Sequence, residues 1–465
     1  METFDLIVLG SGPAGQRAAV QAAKLGKRTA IVEKGTNVGG VCINTGTVPS
    51  KTLREAVLDL SGLRERVLYG DAYRAKRDIT AHDLLFRCDS VIAREREVIR
   101  SQLQRNGIQL FEGSARFTGA HDVAVDDGPN TYALQGTHIV IAVGTTPGVP
   151  EGVSIDHRKV LTSDDILCLP RLPRALTVVG AGIIGLEYAT MFATLGTTVT
   201  LVDKRPEMLG MVDRELVDAL TYLARSRGMT LRLGEEVACV EAGSNDRVVV
   251  VMKSGKRFAT EMVLVSAGRQ GATATLALDK AGLAADERGR IAVNARYQTA
   301  VPHIYAVGDV IGFPSLASTS SEQGRLASCH IFGEPVAALP GLFPYGIYSI
   351  PEIGWVGASE ADLTQRSVPF ETGIARYKEI ARGQILGDAD GMLKLIFHLE
   401  THEILGVWVL GSQATELVHI GQAVMTLGGK LDYFVSTVFN YPTLAECYKV
   451  AALDGMNKLR GLRPM

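Results

Sequence analysis

The chain has 465 residues, 46% hydrophobic and 21% charged, with 48 Lys and Arg against 50 Asp and Glu, a formal net charge of −2. That length predicts several domains, roughly three, around a large buried core. So even a charge balance gives no reason to expect nucleic acid or an anionic membrane surface as a partner.

The opening METFDLIVLG lacks a basic leader and turns into a glycine motif after one short apolar run, unlike a signal peptide. FDLIVLGSGPAGQRAAVQAAKLGKRTAIVEKG then reads as strand, glycine turn, alanine-rich helix and a second strand ending in an acid. Gly10, Gly12 and Gly15 permit a tight turn and let backbone N–H groups approach a pyrophosphate at the positive helix end. Glu33 stands where a carboxylate accepts ribose hydroxyls. GGVCINTGTVPSK follows, from Gly39 to Lys51, with one cysteine, Cys42, and Thr47 five residues after it.

ALTVVGAGIIGLEYATMFATLGTTVTLVDKR repeats the first grammar with Gly180, Gly182, Gly185 and Asp203, and the interval from first glycine to acid is the same in both copies. Its apolar core, ALTVVGAGIIGL, is too short to span a bilayer. Each copy closes on a strand and a glycine turn, HIVIAVGTTP after the first and EMVLVSAGRQ after the second. The expected architecture is α/β, with two tandem Rossmann-like dinucleotide-binding domains. Asp203 favours the free 2′-hydroxyl of NAD. Lys204 and Arg205 are either solvated cations or partners for the 2′-phosphate of NADP. A single nicotinamide needs one such domain; two predict a bound flavin in the first and a diffusible nicotinamide in the second.

IAVNARYQTAVPHIYAVGDV reads as strand-rich, ending in a glycine-aspartate turn; Asp309 is either an ordinary turn residue or a holder of a flavin ribityl hydroxyl, with SLAST beside the ring. From about Phe343, YGIYSIPEIGWVG and GMLKLIFHLETHEILGVWVLG read as strands and ATELVHIGQAVMTLGG as an amphipathic helix, an α+β C-terminal domain. The six cysteines are scattered without a CxxC, so neither a zinc site nor a disulfide framework is expected, and a reducing cytoplasm fits best. Cys88, Cys168, Cys239 and Cys329 read as packing residues. His82, His121, His138, His157, His398 and His402 fit no ligand spacing and read as surface or loop residues, and no metal is expected. From spacing alone, Lys51 and Glu187 read as surface charges.

GSGPAG, GGVCINTGTVPSK, GAGIIGLE, SAGR, YAVGDVIG and FNYPTLAE fall in the order found in the two-dinucleotide-domain flavin disulfide reductases, and the likeness covers essentially the whole chain. The chain thus resembles the family of dihydrolipoamide dehydrogenase, glutathione reductase and mercuric reductase. The resemblance implies an FAD domain over 1–150, an NAD(P) domain over 151–275, a central segment over 276–342 completing the flavin site, and a dimerisation domain over 343–465. It implies a flavin site built from the first fingerprint with Lys34, Gly39, Gly40, Cys42, Thr47, Lys51, Ala115, Gly144, Asp309 and Ala317. A nicotinamide site is implied from the second fingerprint with Asp203, Lys204, Arg205, Gly268 and Arg269. It also implies that Lys51 and Glu187 pair beside the flavin.

Two departures bear on the activity. Those reductases carry a second cysteine where this chain has Thr47, and an acid–base histidine where it has Tyr441, ahead of Pro442 and Glu446. A threonine forms no disulfide, and a tyrosine, with a reference pKa of about 10, is a poor proton shuttle near neutrality. The pattern resembles instead the soluble, Si-face-specific pyridine nucleotide transhydrogenases. That likeness implies hydride transfer between NADPH and NAD⁺ through FAD by a homodimer, with higher assembly left open. Lys51, Glu187 and Tyr441 are its candidate catalytic residues. The alternatives are a flavin reductase working through Cys42 as a lone, activated thiol, and a flavin-binding protein with vestigial catalysis. The roles of Glu446 and of Cys447, either core or close to a dimer interface, stay open.

Overall fold

The computed structural model describes residues 1–70, 76 and 78–461. Strand Glu2–Leu9 runs parallel to Thr29–Glu33 on one side and to Thr131–Ile141 on the other, and Gln109–Glu112 extends the sheet beyond Thr29–Glu33. Between the first two strands lies helix Pro13–Lys24. Its proline occupies the first turn, where no N–H is needed, and its alanines form the buried face. The N-terminal half of Thr131–Ile141 carries an antiparallel arm, Asp122–Asp126 and then Ser114–Phe117.

The chain leaves this layer through Thr145–Pro147 and returns through Arg269–Gly271, and these two short strands pair antiparallel with each other. Between them stands a second parallel sheet in the order Thr230–Leu233, Thr198–Asp203, Ala175–Val179, Met262–Val265, Val160–Thr162. Helix Ile183–Thr194 crosses it, with Gly185 to Phe192 all buried. A three-stranded antiparallel sheet, Val237–Ala242, Val248–Met252 and Arg257–Thr260, is attached.

Beyond this joint the sequence reading needs correction. Of the stretch expected to be strand-rich, only Ile304–Ala306 is strand; Tyr297 is left-handed, and Asn294 accepts backbone N–H groups of Arg296 and Gln298 in a turn. Ile304–Ala306 adds in parallel to the C-terminal half of Thr131–Ile141. Helix Ala317–Phe332 then lies on Pro13–Lys24, close enough for backbone to meet backbone at Gly324. A Cβ on Gly324 would overlap the Ala14 carbonyl, and Ser328 Oγ donates to Ala18 O at 2.7 Å. The segment after the second domain therefore folds with the first.

The C-terminal domain is a five-stranded antiparallel sheet, ordered Tyr345–Ile347, Ile353–Gly357, Ile404–Leu410, Met392–His398, Phe370–Arg376. Trp355 and Trp408 stack 5.5 Å apart on one face, and helices Ala414–Thr426 and Glu446–Gly461 cover the other. Buried charges tie this domain to the rest. Arg54 reaches Glu352 at 2.9 Å, and Lys394, 1% exposed, meets Asp213 at 2.9 Å, Glu215 at 3.2 Å and Glu360.

All six cysteines are free. Cys168 is exposed, contrary to its reading as a packing residue. His138 departs from the expected surface or loop position: it is half-buried within strand Thr131–Ile141, and its Nδ1 has no partner among the described residues. Cys447 is buried in the C-terminal core. No helix among the described residues is long and apolar enough to cross a membrane.

Candidate functional site

A cleft of about 470 Å³ opens where the first sheet meets its glycine turn. Gly10 takes a φ of +105°, and a Cβ on Gly15 would overlap the Gly10 carbonyl oxygen, so only glycine lets the turn close this tightly. A Cβ on Gly12 meets open space; Gly12 lines the cleft ahead of Pro13–Lys24, leaving room for an anion at the helix N-terminus. Ser11 then cross-braces the turn. It donates to Glu33 Oε2 through its N–H at 3.0 Å and through its hydroxyl, and that hydroxyl accepts from Gly39 N at 2.9 Å.

Gly39, at φ +108°, and Gly40, at φ +59°, fold the cysteine stretch against this turn; a Cβ on Gly40 would come 3.0 Å from Gly12 Cα. Cys42, Thr45 and Thr47 thereby face the cleft, with Lys34, Ala115, Gly144, Asp309 and Ala317 around its walls. Burial pushes the Cys42 thiol above its ordinary range, only partly opposed by a hydrogen bond with Thr47 and the charge of Lys51. That direction does not favour the activated lone thiol considered from the sequence. The helix it sits in, Gly40–Asn44, is only five residues long, and burial works against the thiolate. Burial also raises the Asp309 carboxyl, against Arg269 and the hydrogen bond from Ser320 at 3.3 Å.

Helix Thr47–Ser61 brings Lys51 onto the face of Thr47, one turn on. Lys51 Nζ lies 2.7 Å from Glu187 Oε2, the carboxylate 4% and the ammonium 26% exposed. Tyr348, from the C-terminal domain, donates its N–H to Glu187 Oε1 at 2.8 Å and lays its ring 4.8 Å below the ammonium. One ion pair thus joins three parts of the fold.

In the second domain Gly180 and Gly185 repeat the closed turn: a Cβ on either would overlap backbone oxygen. Asp203 is buried and accepts from Ala181 N at 2.7 Å. Arg205 is folded back on it, with Nε at 3.0 Å and Nη2 at 2.7 Å, while its side chain stays half exposed; Lys204 beside it is exposed. Burial pushes the Asp203 carboxyl up, but the hydrogen bonds from Arg205 and Ala181 outweigh it and leave it below its ordinary value. Gly268, at φ +109°, follows the last strand of the domain, and Arg269 bonds Thr145 Oγ1 and Thr145 O, both at 2.8 Å. Arg269 thus clasps the joint between the two domains. Tyr441 is 68% exposed and does not line the cleft.

A model of the pyridine nucleotide-disulphide oxidoreductases matches residues 4–324, and one of their dimerisation domain matches 343–452. The chain belongs to this family. It is 55% identical over 464 residues to the soluble pyridine nucleotide transhydrogenase of Mycobacterium tuberculosis, covering 99% of both chains. To that of Pectobacterium atrosepticum it is 44% identical, covering 98% of both. Among solved structures it is similar to RclA, an HOCl-induced flavoprotein disulfide reductase from Escherichia coli, in its Cu(II) complex. That match has 27% identity and a TM-score of 0.89 over 97% of this chain and 99% of that one. LpdA from Mycobacterium tuberculosis aligns with 25% identity and a TM-score of 0.88, over 97% and 99%.

Sequence reasoning passed over Ser11 and Tyr348. Ser11 had a signal, as the one hydroxyl inside the glycine turn; Tyr348 had none, since its role depends on the C-terminal domain docking beside Glu187.

Proposed function

We propose that this chain is an FAD-dependent transhydrogenase that moves a hydride reversibly between the NADPH/NADP⁺ and NADH/NAD⁺ couples, without a redox disulfide. The observation that carries this reading is what faces the cleft: Cys42 beside the Thr47 hydroxyl rather than a second thiol, in a cleft also lined by Gly10, Gly12 and Glu33.

FAD fits the first cleft by its donors and its room. The Gly12 turn and helix N-terminus receive the pyrophosphate, Glu33 the adenosine ribose and Asp309 the ribityl chain. Bound there, it supplies the chemistry: it takes up a hydride and gives one back. Lys51 does not itself line the cleft but stands one helical turn beyond Thr47, which does; from there its positive charge would support negative charge on the flavin, with Glu187 holding the ammonium in place. The second domain takes the nicotinamide nucleotides in turn, with pyrophosphate on the Gly182 turn and ribose at Asp203. A bare hydride needs no acid–base partner, so Tyr441 in the place of a histidine carries no penalty. The match of residues 343–452 to the dimerisation domain supports a homodimer, and the six free thiols suit a reducing cytoplasm.

Initial rates with NADPH and thio-NAD⁺ both varied test the reading. A single nucleotide pocket used twice gives parallel reciprocal plots, whereas intersecting lines would sink the scheme. Turnover of lipoamide or glutathione disulfide at a comparable rate would return the chain to disulfide chemistry.

A further inference from the structure

The Asp203 carboxylate, 6% exposed, is saturated. Oδ1 accepts from Arg205 N at 2.8 Å and Arg205 Nε at 3.0 Å, and Oδ2 from Ala181 N and Arg205 Nη2, both at 2.7 Å. A carboxylate offers about four acceptor positions, so none remains for a ribose hydroxyl. The Arg205 side chain, in contrast, is 51% exposed, and its Nη1 and outer Nη2 hydrogens point away from the pair. Its backbone is pinned separately, because Gly234 N donates to Arg205 O at 2.9 Å. The guanidinium can leave Asp203 while the strand end stays fixed.

A pocket that serves both nucleotides meets opposite demands here. An unphosphorylated ribose needs a carboxylate with free lone pairs. A 2′-phosphate is repelled by that carboxylate and needs a cation between them. We propose that Arg205 is a movable clamp that lets one pocket satisfy both: closed on Asp203 it cancels the carboxylate and offers its outer N–H groups to a 2′-phosphate, and swung outward it frees Asp203 for a 2′-hydroxyl. The clamp rests on the transhydrogenase reading for its purpose, though not for its geometry. It has a consequence that a fixed phosphate-binding arginine lacks. Arg205 competes with NAD for Asp203, so removing it helps one nucleotide while harming the other.

The test is calorimetric binding of NADP⁺ and NAD⁺ to the purified flavin-loaded protein, alongside flavin bleaching by NADPH or NADH alone. Arg205→Ala is expected to weaken NADP⁺ about thirtyfold to a hundredfold, the scale of one or two charge-assisted hydrogen bonds. The same variant should tighten NAD⁺ about twofold to tenfold, as the competing closed state disappears. Asp203→Asn should weaken NAD⁺ and spare NADP⁺. Lys204→Ala should change the ratio of the two affinities less than Arg205→Ala does, because among the described residues Asp203 is held by Arg205 and not by Lys204. Equal weakening of both nucleotides by Arg205→Ala, unchanged or weaker NAD⁺ binding, or selective NADP⁺ loss in Lys204→Ala would each overturn the clamp. Opposite affinity shifts in Arg205→Ala, together with a wild-type protein that moves no hydride between NADPH and thio-NAD⁺, would instead uphold the clamp and remove the transhydrogenase reading.

Discussion

Replacing Lys51 by Met keeps the side-chain stem and deletes one charge. At 2.7 Å, an ammonium and a carboxylate attract by about 6 kcal/mol at an effective dielectric of 20. Most of that offsets the burial of Glu187, and the partly open side of Lys51 admits water. The net loss on breaking the pair should therefore fall near 2–3 kcal/mol, below the range for a fully buried one. The kinetic loss is separate: removing one preorganised positive group from where charge develops should slow flavin reduction about a hundredfold, or near 2.7 kcal/mol. Stopped-flow loss of flavin absorbance at saturating NADPH measures the second, and thermal release of flavin fluorescence the first. Lys51→Arg should recover much of both. If Lys51→Met lost stability as expected but bleached within about twofold of wild type, the pair would be a structural joint only, and the assignment of Lys51 to the chemistry would be refuted.

Three further outcomes follow from distances already given. Gly15→Ala places a methyl on the Gly10 carbonyl and should yield protein purified largely without flavin, seen as a collapsed ratio of visible to ultraviolet absorbance. Cys42→Ser should transfer hydride within about threefold of wild type, since Thr47 rather than a second thiol faces it and burial pushes the thiol away from its reactive form. Its alkylation at pH 8 should be slower than that of a free thiol and accelerate only as pH rises past the ordinary thiol range. Tyr348→Phe should leave flavin reduction unchanged, while Tyr348→Ala should slow it about threefold to tenfold through loss of the ring beneath Lys51, with nucleotide affinity unmoved.

The two nucleotide domains were legible because glycines and acids recur at the same offsets, a pattern that physical constraints on a phosphate turn enforce. The C-terminal strands showed as long apolar runs, apart from Phe370–Arg376, which alternates weakly. Ile304–Ala306 lay within a stretch read as strand-rich, but its pairing was hidden, because its partner strand lies on the far side of an entire domain. Lys51 and Glu187 came from resemblance, since nothing local to either residue marks a contact across 136 positions. Position 205 shows a different limit. Sequence places an arginine two residues after the acid, but whether it lies open or folded back depends on the buried carboxylate and the N–H groups around it.

The return of Ile304–Ala306 to the first sheet also sets a timetable for synthesis. The N-terminal strands emerge from the ribosome first, yet their layer lacks its last parallel strand and the helix that covers Pro13–Lys24 until the whole second domain has been made. At about 5–20 residues per second, that delay is on the order of ten seconds. The later nucleotide domain, whose strands are contiguous in the chain, is thus complete before the earlier one. Asp309 arrives with that last strand, so a nascent chain cannot hold flavin at its full set of contacts until translation has passed it.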